Sequence, residues 1–389
     1  MKRKILAITG IRSEYDILYP VIDVLRKDSN FEVKIVVCGA HLTDWHGFTL
    51  KQIEKDGFKI ADKINYLSMT DKKTQRAEGT GILTQALSRT VERENPDFIL
   101  VVGDREESIA AAIVGNYMNV LVAHIGGGDP VYGNADDPMR FAVSKLAHLH
   151  FTFTKKYAEN LFKIGEEKFR IFCVGNPALD HIKGTPYIPI KKIGKIIDFD
   201  VNNKRFLILI NHPLSSEKEE AYAQMKITLD SLVEFCAEKK IKVIGIYPNT
   251  DPGALDILRA IKEFDKPEPI RFFKTLPQQI FVNLLRNALA LVGNSSMGIL
   301  EAPFYKLPVV NIGNRQKGRL NAGNVEFVKY NKKSIKKALL KACFDKRYRD
   351  YVKKLKNPYG YACASGRIRD KLLSINTNKK KWFLKKKLC

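Results

Sequence analysis

Short apolar runs recur along the chain, each followed by a longer amphipathic segment, and this alternation limits the possible folds more than any other feature. In the first half the runs cover 5–9, 31–37, 98–102, 120–124, 149–152 and 171–174, with helical patterns between them at 15–26, 79–92, 108–118 and 157–164. The alternation pauses in a basic, turn-rich stretch, "KGTPYIPIKKIGKIIDFDVNNK". It then restarts with strands at 206–210, 242–246, 270–273, 289–292 and 309–312 and helices at 217–239, 254–264, 278–287 and 297–304. Strands that are apolar throughout and separated by helices belong to parallel sheets covered on both faces. The expected fold is therefore α/β, with two doubly wound, Rossmann-like halves and a linker. The best ligand site in such a protein is the cleft between halves, outside the carboxyl ends of the strands.

Charge and composition narrow the function. The net charge of +24 favours acidic partners, although the lysines are scattered as on a solvated surface. No zinc-finger or RNA-recognition motif is present, so no nucleic-acid partner is expected. No apolar stretch is long enough to span a bilayer, and the six cysteines show no CxxC spacing. A cytoplasmic protein without a bound metal is expected. Only the end, "NKKKWFLKKKLC", concentrates charge around apolar residues. It reads as a disordered polar end or as a weak contact for an anionic membrane surface.

Polar clusters sit where strands end. "ITGIRSEYD", "VVGDREES" and "HIGGGDPVYGNADDPMR" follow strands of the first half; "NHP", "GNSSMG" and "NIGNRQKGR" follow strands of the second. In the second half, Ser295 and Ser296 at a glycine-bounded helix start read either as an anion site or as an ordinary N-cap. Arg315, Lys317 and Arg319 add cations suited to phosphate, and Glu301 suits a ribose hydroxyl pair. There is no GxxxxGK[ST] and no clean GxGxxG, which counts against an ATPase or a simple dehydrogenase. In the first half, Asp104, Asp129, Asp136 and Asp137 lie near strand ends. Several carboxylates in one site suit proton transfer, although Asp-Asp-Pro is also an ordinary helix start. His124 and His212 stand at strand ends, where a histidine is either a proton carrier or simply a hydrogen-bonded residue. The glycines of "HIGGGD" are expected to let backbone approach a sugar and its phosphates.

These pieces, with "GAHLTDWHG", "VGNPALDHI", "GNSSMGILEAPF" and "NPYGYACASGRIRDKL", run from about residue 4 to 375. The chain resembles the UDP-N-acetylglucosamine 2-epimerase family, specifically its hydrolysing branch, which feeds sialic and legionaminic acid synthesis. The resemblance implies a GT-B-like fold: 1–182 as the sugar-handling half, 183–204 as linker and 205–363 as the UDP-binding half. It also implies that 364–389 is a helix crossing back to the first half, followed by a basic tail. By resemblance Asp104 and Asp136 are catalytic carboxylates, and Arg140 and His212 belong to the catalytic set. Arg12, Tyr15, His124, Asn294, Ser295, Ser296, Glu301 and Arg315 would contact substrate or UDP.

The implied reaction needs no cofactor and no metal. A UDP-linked acetamido sugar is cleaved to UDP and the free 2-epimer, an N-acetylmannosamine-type sugar for nonulosonic acid or surface-glycan synthesis. A homo-oligomer, dimer or tetramer, is expected. The sequence departs from the family at two points. Gly126 stands where many hydrolysing members carry glutamate, and Phe141 where "RHA" carries histidine. Asp129 is the nearest carboxylate to take over the lost role. The alternatives are a hydrolase or 2-epimerase of a UDP- or GDP-linked diacetamido sugar, a glycosyltransferase on the same architecture, and a nucleotide-sugar-binding regulator without chemistry.

Overall fold

The apolar runs become the inner strands of two parallel sheets. The computed structural model describes residues 2–44, 47–67, 74–131, 136–201, 203, 205–249, 251–264, 268–377 and 380–387, without the side chains of Asp136 and Lys380. The chain divides into two units, one formed by Met1–Pro130, Ala135–Lys183 and Tyr359–Cys389, the other by Gly184–Pro358 with Val131–Asn134.

Among the described residues the first unit has seven strands: β1 Arg3–Thr9, β2 Phe31–Cys38, β3 Lys59–Ile64, β4 Phe98–Val102, β5 Leu121–Ile125, β6 Leu149–Thr152 and β7 Ile171–Cys173. Their order is β3-β2-β1-β4-β5-β6-β7, and every pairing is parallel. The second unit has six: β8 Phe206–Ile210, β9 Lys242–Ile246, β10 Ile270–Phe273, β11 Ala290–Gly293, β12 Val309–Ile312 and β13 Val325–Val328, in the order β10-β9-β8-β11-β12-β13. Each sheet reverses its direction of winding once, between β1 and β4 and between β8 and β11. At such a switch point the loops leave in opposite directions and open a crevice at the carboxyl ends.

Both faces of the second sheet are buried, which explains its unbroken apolar strands. Leu207 and Leu209 face one core and Phe206, Ile208 and Ile210 the other, following the two-residue alternation of a strand. The expected strands 98–102, 149–152, 206–210, 242–246, 270–273 and 309–312 coincide with observed ones. The reading missed β3 and β13. Both are edge strands with much of their length accessible, "KIADKI" and "VEFV", so neither carries an apolar run.

Three further expectations are corrected. The stretch 183–204 contains a helix, Ile190–Ile196, and sends Ile190, Ile193, Ile197, Phe199 and Val201 into the core of the second unit. Its apolar residues keep a helical spacing that the surrounding prolines and lysines obscure. The helix expected at 297–304 ends at Leu300, followed by turns. Pro303 has no N–H to donate and disfavours helical backbone at the residue before it. The C-terminal tail is not a free polar end. After the helix Ala364–Ser374, a short helix Lys380–Leu384 leads into backbone and side-chain contacts with the first unit, where buried Arg170 donates to the carbonyls of Phe383 (2.5 Å) and Lys385 (2.8 Å). Among the described residues no helix is long and apolar enough to cross a membrane.

Candidate active site

The loops at the carboxyl ends of each sheet's central strands collect polar residues, and the two units collect different chemistry. In the first unit, Asp104 follows β4 and Asp129 follows β5. Arg140, on the helix Asp136–Leu146, joins them. Its Nε donates to Asp104 Oδ2 at 3.0 Å and its Nη2 approaches the same oxygen more closely; its Nη1 lies 3.3 Å from Asp129 Oδ2 and donates to Gly126 O at 3.4 Å. The Asp129 side chain is 1% exposed and that of Arg140 11%. One guanidinium thus fixes two strand-end loops. Asp136 opens that helix, and its side chain lies outside the described residues.

His124 stands behind this group. It is fully buried, with Nε2 2.7 Å from Gly103 O and Nδ1 3.2 Å from Ser144 Oγ. The carbonyl can only accept, so Nε2 carries the proton. Burial, with His150 nearby, pushes the ring's pKa down to about 3 and keeps it neutral. Its two nitrogens are engaged in tying β5 to the β4 loop and to the Arg140 helix, so it supports the group from inside.

A Cβ added at any glycine of "HIGGGD" would meet the protein's own atoms rather than open space. Gly126 has φ +84°, and a Cβ there would lie 3.0 Å from the Phe153 ring. Gly128 has φ +79°, and a Cβ would lie 2.3 Å from Tyr157 O. Both positions require the backbone that only glycine adopts cheaply. A side chain at position 126 would press on the Phe153 ring as well as strain the backbone.

Arg12 and Tyr15 lie on the first helix, Arg12–Lys27. Arg12 pairs with Asp16 at 3.6 Å. The buried Tyr15 donates its hydroxyl to Asp56 at 2.7 Å, and burial raises its pKa. Beneath them is a group the sequence reading missed. Glu14 accepts from Gly10 N–H at 3.0 Å, and Glu107 accepts from the Tyr66 hydroxyl at 2.5 Å. Burial and mutual repulsion hold Glu14 well above the usual carboxylate range; burial also raises Glu107, against the pull of Arg105. For Glu106 the upward push of burial is outweighed by Arg105 and Arg76. The available signal was the run of acids in "RSEYD" and "DREES", each just past a strand.

In the second unit the hub is Asn294, after β11. Its Oδ1 accepts from His212 N–H at 2.7 Å and its Nδ2 donates to His212 O at 2.8 Å, a two-way clasp across the switch point between β8 and β11. Its carbonyl accepts from Arg315 Nη1 at 3.4 Å and from Gln316 Nε2 at 3.0 Å. Asn249 N–H donates to His212 Nδ1 at 3.1 Å, which leaves the proton of the neutral ring on Nε2. Arg315 also lies 3.4 Å from Asp251, and its Nε is buried with no partner among the described residues. Ser295 and Ser296 follow directly. Ser296 makes no side-chain cap to the short helix, and Ser295 Oγ accepts only a long bond, 3.4 Å, from Met297 N–H. The ordinary N-cap thus accounts poorly for the serine pair. Glu301 ends that helix, half-buried, and Lys317 is exposed. Arg319 is buried and donates to Gln316 at 2.7 Å, so it braces the loop. Asp251, Asn249 and Gln316 are supports that the sequence reading missed. They lie on loops with no motif of their own.

Two Rossmann-like units, with acid and guanidinium at the strand ends of one sheet and arginine, serines and histidine at the strand ends of the other, give the chain a GT-B-like fold. Residues 23–373 match the UDP-N-acetylglucosamine 2-epimerase family, and the chain belongs to that family of enzymes. It is 32% identical over 326 residues to the GDP/UDP-N,N'-diacetylbacillosamine 2-epimerase (hydrolyzing) of Campylobacter jejuni, covering 83% of this chain and 84% of that one. It is 33% identical over 325 residues to the UDP-N,N'-diacetylbacillosamine 2-epimerase (hydrolyzing) of Legionella pneumophila, covering 84% and 85%. Among solved structures, the UDP-GlcNAc 2-epimerase of Neisseria meningitidis bound to UDP-GlcNAc superposes with a TM-score of 0.81 at 22% identity, covering 96% of this chain and all of that one (100%).

Proposed function

We propose that the protein is a hydrolysing 2-epimerase that converts a UDP-linked acetamido sugar into UDP and the free 2-epimer, for nonulosonic acid or surface-glycan synthesis. The observation that carries this reading is the Asp104–Arg140–Asp129 bridge, which holds two carboxylates at the strand ends of the first unit. In the reaction the bond from C1 to the UDP oxygen breaks and UDP leaves with the electron pair. The proton at C2 passes to a carboxylate, giving a glycal. Water then returns its oxygen to C1, and a proton reaches C2 from the opposite face. Asp104, Asp129 and Asp136 are assigned the proton steps, with Asp129 in the role of the glutamate replaced by Gly126. Arg12 and Tyr15 serve the sugar end, and His124 supports the Asp104–Arg140–Asp129 bridge from inside.

The second unit takes the leaving group. Ser295, Ser296 and the Arg315 guanidinium supply donors for the diphosphate, His212 and Asn294 shape that site, and Glu301 takes the ribose hydroxyls. Because the C2 proton is not activated by a neighbouring carbonyl, stabilising the departing diphosphate carries much of the rate.

A diacetamido sugar on UDP or GDP is a second reading, favoured by the substrates for which the Campylobacter and Legionella relatives are named. One experiment tests both. The protein is incubated in D₂O with UDP- and GDP-linked mono- and diacetamido sugars, and released sugars are identified by NMR. A 2-epimer carrying deuterium at C2 is expected. Product without deuterium makes the protein a plain hydrolase, and tight UDP binding without turnover makes it a binding protein. Asp104→Asn and Asp136→Asn are each expected to lower turnover at least about a hundredfold, the scale of general acid–base catalysis.

A further inference from the structure

The tail that the sequence presents as a basic end is anchored behind the Arg140 helix. The side chain of Lys386 is 8% exposed. Its ammonium donates to the carbonyls of Ser144 (3.2 Å), Lys145 (2.7 Å) and Ala147 (2.7 Å), and lies 2.7 Å from Glu166 Oε2. Ser144 and Lys145 are in the last turn of the helix Asp136–Leu146, whose carbonyls have no partner further along the helix. A cation there also suits the negative end of the helix dipole. Glu166 is fully buried at its carboxylate. It accepts from His150 Nε2 on β6 at 2.8 Å and pairs with Lys145 at 3.0 Å. Arg170, the second anchor, donates to His148 O at 3.2 Å as well as to the tail carbonyls. The same helix carries Arg140 one turn before Ser144, and Ser144 Oγ touches both Arg140 O (3.0 Å) and His124 Nδ1 (3.2 Å).

We propose that Lys386 is a positioning residue: by clamping the C-terminal end of the helix Asp136–Leu146 to Glu166, it sets the place of Arg140 and so of the Asp104–Arg140–Asp129 bridge. This rests on the function proposed above. The clamp requires a charged amine. The titratable and charged groups around it are Glu166, Lys145, Arg170, His148, His150 and His124. Burial, partly offset by Glu166, lowers the Lys386 pKa to about 8. The ammonium therefore holds the helix below about pH 8 and releases it as the pH rises through that value.

The test compares the full chain with Lys386→Met and with the double variant Lys386→Met/Glu166→Gln, which also removes the buried negative charge that Lys386 offsets. Turnover, UDP affinity and amide hydrogen exchange across 136–147, the latter as protection relative to the intrinsic exchange rate at each pH, are measured between pH 6.5 and 9.5. In Lys386→Met, kcat is expected to fall at least tenfold with KM and UDP affinity within twofold, and exchange to rise at least tenfold. The double variant is expected to regain melting temperature but not kcat, which separates positioning from simple loss of stability. The wild type is expected to lose kcat above about pH 8 on a limb that Lys386→Met lacks. Wild-type kcat in Lys386→Met, or a double variant that recovers kcat along with stability, overturns the proposal. If neither variant folds, an alkaline limb in wild-type kcat accompanied by faster exchange supports it, and the lack of both overturns it. If the wild type turns over none of the sugars, the function reading fails; exchange in 136–147 alone then decides whether Lys386 holds the helix.

Discussion

Replacing Arg140 with methionine isolates what its guanidinium does, because methionine keeps the bulk of the stem and removes only the shared cation. Asp129 is the partner that matters for stability: its side chain is 1% exposed, whereas that of Asp104 is 16% exposed and keeps some water. Removing one partner of a buried pair costs about 3–5 kcal/mol, since a buried charge loses its counter-charge. A partly exposed pair adds at most about 1 kcal/mol. Arg140→Met is therefore expected to destabilise the first unit by about 3–5 kcal/mol in urea unfolding. Arg140→Met/Asp129→Asn, which lacks both halves of the pair, should recover part of the stability. A loss below about 1 kcal/mol would refute the bridge as the tie between the two loops.

Other consequences can be checked separately. Arg315→Met should weaken UDP binding by about tenfold or more in calorimetry, because a charge-assisted hydrogen bond contributes about 1.5–3 kcal/mol; unchanged affinity would remove Arg315 from the diphosphate site. Gly126→Ala should destabilise by about 1–2 kcal/mol from its positive φ alone, with more from the Phe153 contact, and Phe153→Leu should relieve only that second part in denaturant titrations. His148 is buried, and burial with Lys386 nearby puts its pKa at about 3. The unfolded chain binds more protons below about pH 6.5, so folding stability falls as the pH drops from there toward 3. His148→Gln should remove about 1.4 kcal/mol of that slope per pH unit between pH 6 and 4, read as the difference between paired unfolding curves.

Legibility in the sequence followed the burial of the backbone. Central strands such as 98–102 and 206–210 are apolar on both faces, so their runs stand out. The edge strands Lys59–Ile64 and Val325–Val328 are half in water and look like loop. The helix Ile190–Ile196 was hidden by prolines and lysines whose signal describes its ends and outer face, not the isoleucines that fill the core. Local composition also misreads the tail. A run of lysines implies solvent, and only the distant carbonyls of Ser144, Lys145 and Ala147 with Glu166 give Lys386 a buried partner.

The site divides along the same line. Residues at strand ends were legible because a polar or glycine-rich break after an apolar run marks a loop, and the switch-point topology makes such loops neighbours. Asp104, Asp129 and Arg140 were found in this way, and the structure joins them. What the sequence leaves open is which strand-end residues face outward and which brace the loop. His124 and the glycines of "HIGGGD" look like ligand contacts in the sequence. In the fold the histidine ties Gly103 to Ser144, while Gly126 makes room for Phe153. Asp251 has no motif at all, yet it holds Arg315, whose Nε is buried with no partner among the described residues. The braces come from elements far apart in sequence, so only packing reveals them. Gly126 belongs with the braces: with a positive φ and Phe153 3.0 Å from where a Cβ would lie, any side chain there meets strained backbone and an aromatic ring, and Arg140 ties the carboxylates of the first unit.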